Sequence, residues 1–161
     1  MNRVMLAALG VLAALLAAMP AVMAQGQGGA PQDVDQTIDL PAGAVFGRCD
    51  FPVRLEMSGK AKTIDLPGDG FIFTSPGLTA TLTNVDTGEQ ETVAITGALH
   101  QTTLDNGDVV TRATGRNLLG DPEAGFVIAS GNFSFAFDAQ GNLVQPLSGD
   151  GRLVDVCGIL S

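Results

Sequence analysis

From about residue 45 onward, apolar and polar residues alternate in short runs, and Gly, Asn and Asp collect between the runs. A period of two puts one set of side chains on each face of a strand, so the pattern predicts an all-β domain of roughly eight to ten short strands. In GLTATLTN, Leu78, Ala80 and Leu82 share one face and Thr79, Thr81 and Thr83 the other, while TVAITG places Val93 and Ile95 together. A two-residue turn at Thr87-Gly88 would set Leu82 opposite Val93 and Ala80 opposite Ile95. The next hairpin centres on Asn106-Gly107, the dipeptide preferred by a type I′ turn. That register pairs Leu104 with Val109, Thr102 with Thr111 and His100 with Ala113, and turns Gln101 and Arg112 to solvent. The parities conflict, because Val93, Ile95 and Leu99 fall on positions that His100 and Leu104 do not share. Either a bulge near Gly97 switches the faces or two separate strands meet there at a corner.

GNFSFAFDAQGN supplies the strongest single strand, with Phe133, Phe135 and Phe137 alternating and a turn available at Gly141. Residues Phe126 to Ala129 are apolar at every position, as expected of a strand covered on both sides. The intervening TGRNLLGDPEAGF reads as a long hairpin loop packed down by Leu118 and Leu119, or as a binding loop. In the terminal GRLVDVCG, Leu153 and Asp155 alternate with Val154 and Val156, and no stretch of the chain has a helical pattern.

The N-terminal residues change the picture. Arg3, an uncharged apolar run from Val4 to Met19, then Pro20 and the small-residue ending Val22-Met23-Ala24 form the pattern of a secretory signal peptide, with cleavage expected after Ala24. This divides the chain into a signal peptide (1–24), a Gly/Gln/Pro-rich flexible lead-in (25–44) and one β domain (45–161), with no membrane span left after cleavage and a secreted, periplasmic or envelope destination. Outside the reducing cytosol two cysteines are usually paired, so Cys49 and Cys157 are expected to form a disulfide. Their Cα atoms must then lie within about 7 Å. Because Cys49 is read at the start of the first strong strand and Cys157 on the last, the expected architecture is a single antiparallel barrel, with a two-sheet β-sandwich as the alternative.

The chain carries 8 Lys and Arg against 17 Asp and Glu, a net charge of −9. Nucleic acid is therefore not an expected partner, since phosphate binding needs a clustered positive surface. Asp33, Asp35 and Asp39 lack the glycine and closing glutamate of a calcium loop, so neither metal nor cofactor is expected. Catalytic sets are missing as well: there is one histidine, no G-x-S-x-G and no phosphate loop. His100 is the remaining acid–base candidate, at the wall of a pocket beside small residues. Arg112, Arg116 and Asn117 offer directed donors for a carboxylate or a sugar.

GLTATLTNVDTG, ATGRNLLGDPEAGF and GNFSFAFDAQGNLVQPLSGDGRLVDVC resemble segments of short exported bacterial β-rich proteins, a resemblance that implies no activity. In size, strand density and Gly-rich hairpins the chain also resembles the allene oxide cyclase and dirigent type of barrel, which implies a fold and carries over no catalytic motif. The expected function is a non-enzymatic binding module for a small apolar ligand or a surface protein partner. The alternatives are a cavity-type cyclase or isomerase using His100 and an arginine, and a structural or adhesive envelope protein.

Overall fold

Alternation in the sequence becomes nine strands among the described residues. The computed structural model describes residues 29–44 and 49–161, so the signal-peptide reading lies outside the described residues. In chain order the strands are β1 (Gln32–Leu40), β2 (Val53–Leu66), β3 (Gly70–Thr74), β4 (Thr79–Asn84), β5 (Gln90–Ala94), β6 (Ala98–Thr103), β7 (Val109–Asp121), β8 (Gly125–Phe137) and β9 (Leu143–Asp155). A single helical turn, α1 (Val156–Ile159), follows β9. All pairings are antiparallel, along the path β5-β4-β2-β3-β6-β7-β8-β9, with β1 also paired to β2.

The all-β antiparallel class is as expected, but the sheet does not close into a barrel. Its path ends at β5 and β9, which do not pair. The β9 strand suits an edge, because Pro146 lacks an N–H and the register against β8 is broken between Ser134 and Phe137. The sheet instead folds over on itself in the manner of the sandwich alternative. The first half of β2 pairs with β1 and β4, and its second half with β3. Within the first half Val53, Leu55 and Met57 are buried and Arg54, Glu56 and Ser58 exposed. A Cβ on Gly59, at the midpoint, would overlap the Gly77 carbonyl and lie 2.9 Å from the Leu78 Cα.

A second bend is sharper. Asp121, at the end of β7, accepts a hydrogen bond from the Leu147 amide of β9 at 3.0 Å. By register Asp121 is level with Gly125 of β8, whereas Leu147 lies beside Ser134 to Ala136. On flat strands these positions would be roughly 30 Å apart at about 3.3 Å per residue. The β7-β8-β9 ribbon must therefore turn back on itself between them. Gly115, Gly131 and Gly151 are paired in one row across the three strands at that place. A Cβ on Gly131 would overlap the Asp150 carbonyl and come within 2.7 Å of the Gly151 Cα, at a φ of 147°.

Beyond the bend the ribbon is apolar on both faces. Leu118, Phe126, Ile128 and Val154 pack with Leu55, Leu78, Leu82 and Ile95 from the β2-β4-β5 side. Leu119, Val127 and Ala129 pack with Ala113, Phe133 and Leu147 from the other side. The unbroken apolar run Phe126 to Ala129 is thus covered twice, as its pattern predicts.

Four local expectations need correction. The stretch TGRNLLGDPEAGF, read as a long loop, is instead the paired ends of β7 and β8 joined by a three-residue turn at 122–124. Gln32–Leu40, expected within the flexible lead-in, is β1: Val34, Ile38 and Leu40 pack on the core, while Arg54–Asp39 (2.7 Å) and Lys60–Asp33 (2.8 Å) ion pairs hold its outer face to β2. The Arg54 hydrogen bond keeps the Asp39 carboxyl below its ordinary value of 3.8. In the β4–β5 hairpin, Ala80 faces Val93 and Leu82 faces Glu91, because the connection is a four-residue loop. There Asn84 Oδ1 accepts from the Asp86 and Thr87 amides, favouring the longer loop.

The fourth correction is the β6–β7 register. His100 faces Arg112, and Leu99 faces Ala113. Asp105, Asn106 and Gly107 form a three-residue loop in which Leu104 and Asp108 close the ladder and only Gly107 takes a positive φ, 86°. An Asn106 Oδ1 hydrogen bond from the Asp108 amide (3.1 Å) supports this form over the type I′ turn. The shift by one residue moves every β6 side chain to the other face of β7's pattern. The parity conflict near Gly97 resolves as the corner: β5 pairs with β4, and β6 with β3 and β7.

The expected Cys49–Cys157 disulfide is present, with Cα atoms 5.1 Å apart. Neither cysteine lies on a strand. Cys49 precedes β2, and Cys157 sits in α1, where Asp155 caps its amide at 3.1 Å. Leu160 is buried just beyond, and its carbonyl accepts from Asn84 Nδ2 at 2.9 Å.

Two outcomes follow for stability. Gly131→Ala is expected to lower the unfolding free energy by about 2 kcal/mol or more through clash and backbone strain, whereas Gly77→Ala, with open space at its Cβ position, should stay within about 0.5 kcal/mol; urea titration of the two variants compares them. The Cys49→Ala, Cys157→Ala double variant should lose up to about 4.7 kcal/mol, the chain-entropy value for a loop of about 100 residues. Denaturation with and without reductant measures that loss on the unmodified protein.

Candidate functional site

The site arises from a mismatch in strand length. Pairing of β6 with β7 runs to Ala98 opposite Thr114, and the Gly97 amide adds one more bond to the Arg116 carbonyl at 2.8 Å. The β7 strand continues to Asp121 with β8 on one side only. Along its free edge, residues Asn117 to Gly120 border a cavity of about 120 Å³. Both parities of β7 reach it, because the edge rather than one face is turned to the space.

The remaining wall comes from all around the fold. Leu55 and Met57 arrive from β2, Phe73 from β3, Leu99 from β6, and Phe126 and Phe135 from β8. Leu78 and Ile95, which flank β4 and β5, complete it with Ser75. The cavity lies where the two apolar clusters meet, so it inherits their character: among the described residues Ser75 and Asn117 are its only polar side chains.

Both polar groups are partly committed. Ser75 Oγ lies 2.6 Å from the Ile95 carbonyl and 3.0 Å from that of Gly97, so its single proton is used within the loop. Asn117 Nδ2 donates to the Thr114 carbonyl at 3.0 Å, and the amide lies so close to Gly97 that a Cβ there would overlap it. An amide offers two donors and an acceptor, so Asn117 keeps capacity for a further hydrogen bond.

Asp121 holds the end of the site. Its carboxylate, 3 % exposed, accepts from the Glu123 and Ala124 amides at 2.8 Å each and from the Leu147 amide at 3.0 Å. Three backbone donors anchor the turn between β7 and β8 and clamp it to β9.

Of the four residues expected to bind a ligand, the structure brings only Asn117 into the cavity. His100, Arg112 and Arg116 are exposed on the opposite face of the sheet: the one-residue register shift carries His100 there, while Arg112 takes the solvent-facing parity its alternation predicts and Arg116, two pairs further along, shares it. Among the described residues no lining side chain is titratable, and both cysteines are in the disulfide. The arrangement can enclose an apolar molecule and offer it one hydrogen bond, but it places no acid, base or thiol against it. Phe73 and Ser75 have no place in the sequence reading of the site, and Ile95 enters it only through its strand alternation; the Ser75-Pro76-Gly77 breakers after Phe73 are a local sign of a corner there. Among the described residues no group of three His, Cys, Asp or Glu is placed to hold a metal ion, and no helix is long and apolar enough to cross a membrane. The chain matches no known family model, no curated protein and no solved structure.

Asp121→Ala removes the acceptor for three inward-facing amides and is expected to lower stability by about 3 kcal/mol. Asp121→Asn, which retains one carbonyl acceptor, should lose less; urea unfolding of the pair tests the order.

Proposed function

We propose that this protein is an exported, non-enzymatic binding module for a small apolar ligand. Support for export comes from the signal-like N-terminal pattern and from a disulfide of the kind that persists in secreted, periplasmic or envelope proteins. The observation that carries the binding reading is the apolar cavity at the free edge of β7, with Asn117 as its one available polar group. An apolar cavity of about 150 Å³ stays dry and takes up benzene, so a space of about 120 Å³ suits a ligand of similar size or the apolar end of a longer one. A single hydroxyl or amino group on that ligand would meet Asn117. Affinity for so small a body falls between about millimolar and micromolar, −4 to −8 kcal/mol.

The test uses benzene, phenol, hexanol and glucose as probes, read by thermal shift and calorimetry on the disulfide-intact protein. Phenol or hexanol should bind more tightly than benzene, and glucose should not bind. Leu99→Trp, which fills the space and adds a fluorophore to a chain with no Trp, should abolish binding, while Leu99→Ala should shift preference to larger members of the series. Absence of binding by all three apolar probes, or binding unchanged in Leu99→Trp, overturns the reading.

A further inference from the structure

The cations of this acidic chain are unevenly placed. Among the described residues Arg54 and Lys60 are in ion pairs with Asp39 and Asp33 on the β1–β2 ribbon. The other four, Lys62, Arg112, Arg116 and Arg152, form no ion pair with described residues. The register puts all four on one face. Arg112 stands level with His100 on β6 and Ser134 on β8, and Arg116 with Ser130 and Arg152. Lys62 shares a row with Thr74, Ala98, Thr114, Asn132 and Asp150. Residues directly opposite one another on antiparallel strands project from the same face, and so do residues two apart on one strand. The face of β2-β3-β6-β7-β8-β9 that bears these rows therefore carries four cations and His100 against one carboxylate, Asp150, in a chain whose net charge is −9.

Between the cations lie short donors and acceptors: Thr114, Ser130, Asn132, Ser134 and Ser148. Arg112, Arg116, Arg152, His100 and Asn132 are all exposed. This is the outer side of the glycine bend, because Leu119, Val127 and Ala129 occupy the inner side. Arg112 and Arg116 are about 13 Å apart along β7, and Arg116 and Arg152 about 10 Å apart across two strand spacings. Charges spread at such intervals over an open surface do not converge on one small anion. They fit a long ligand with repeated, separated negative charges.

We propose that this face binds a linear carboxylated polysaccharide, with Arg112, Arg116 and Arg152 each engaging a carboxylate and the hydroxyl and amide side chains bonding to sugar hydroxyls. Guanidinium matches carboxylate with two parallel hydrogen bonds, which places the polymer as well as attracting it. Duplex nucleic acid, with a charge every 1.7 Å, meets too few cations here to offset repulsion from the rest of an acidic protein. The chain has neither Trp nor Tyr, so a neutral polysaccharide finds little to stack on.

The experiment is affinity electrophoresis and calorimetry of the disulfide-intact protein with polygalacturonate, heparin, dextran and duplex DNA. Polygalacturonate should bind, weakening as salt rises, and dextran should not. The exposed double variant Arg112→Gln, Arg116→Gln should weaken polygalacturonate binding at least 10-fold, Asp150→Asn should tighten it about 2-fold, and Arg54→Gln, on the β1–β2 ribbon, should leave it unchanged. Circular dichroism and melting of each variant confirm that the fold is intact. Heparin, a linear polymer with carboxylates as well as sulfates, should bind with the same dependence on Arg112 and Arg116. No binding of polygalacturonate, binding of either polymer unaffected by the Arg112/Arg116 change, or tighter binding of DNA overturns the proposal. Leu99→Trp should leave this binding as it is, so the cavity reading and the face reading fail separately.

Discussion

The fold depends on three strands being able to bend together. At the row Gly115, Gly131 and Gly151 the backbones of β8 and β9 approach so closely that the Asp150 and Ser130 carbonyls take up the space of a β-carbon on Gly131 and Gly151, while Gly115 takes a φ of 77° with the Gly97 Cα 3.1 Å from its β-carbon position. A side chain at Gly131 or Gly151 would force β8 and β9 apart and straighten the ribbon. With the bend in place, the far halves of β7 and β8 have apolar partners on both faces, and Asp121 comes within hydrogen-bond reach of Leu147. The two clusters and the cavity at their junction all follow from that curvature. Sheets of many strands that cannot curl must either close or be covered, and glycine at a defined row is how curvature is introduced locally.

Since the ribbon folds back rather than round, hydrogen bonding does not unite the ends of the strand path. The β9 end is instead tied to the β2–β4 side by the disulfide, by the packing beside it and by the Asn84–Leu160 hydrogen bond. Cys49 enters just before β2, Cys157 lies in the turn after β9, and Val156 and Leu160 on either side of it are fully buried against the same cluster as Leu55 and Leu82. The cross-link constrains the unfolded chain over most of the described domain, and the buried terminal turn ensures that the constraint is also satisfied by native contacts. Asn84 makes the connection specific, one side chain both shaping the β4–β5 loop and holding the Leu160 carbonyl.

Much of this was legible in the sequence because alternation depends only on burial. The strand content, the double covering of Phe126 to Ala129, the cysteine pairing and a break in parity near Gly97, open to either a bulge or a corner, can all be read from the sequence. Register was not legible, because Asn106-Gly107 serves equally in a two-residue and a three-residue loop, and Asp108, the residue that decides between them, acts by hydrogen bonding to Asn106. That one residue carried His100 from the expected pocket to the outer face. The β1 strand escaped for another reason: its inward Val34, Gln36, Ile38 and Leu40 are interleaved with Asp and Thr in a segment whose Gly- and Gln-rich start reads as linker. The cavity had no local signature, since its wall is drawn from residues between Leu55 and Phe135 that meet only in three dimensions.

The same parity rule that made the register hard to read gives β7 its double character. Asn117 points to the cavity edge while its neighbour Arg116 stands exposed with Ser130 and Arg152, and Ala113 is buried while Arg112 beside it is exposed. Adjacent residues thus serve an uncharged interior and a charged exterior across one layer of backbone. In a strand the two faces cannot be tuned by rotation, as they can around a helix; they are tied to odd and even positions. A shift of β7 by one residue would bury Arg112 and Arg116 and expose Ala113 and Leu119. Burying two unpaired guanidinium groups is so unfavourable that the charges themselves exclude the alternative register. The cationic face therefore acts on the fold as well as on any ligand: it keeps the apolar edge of β7 turned inward, where the cavity forms.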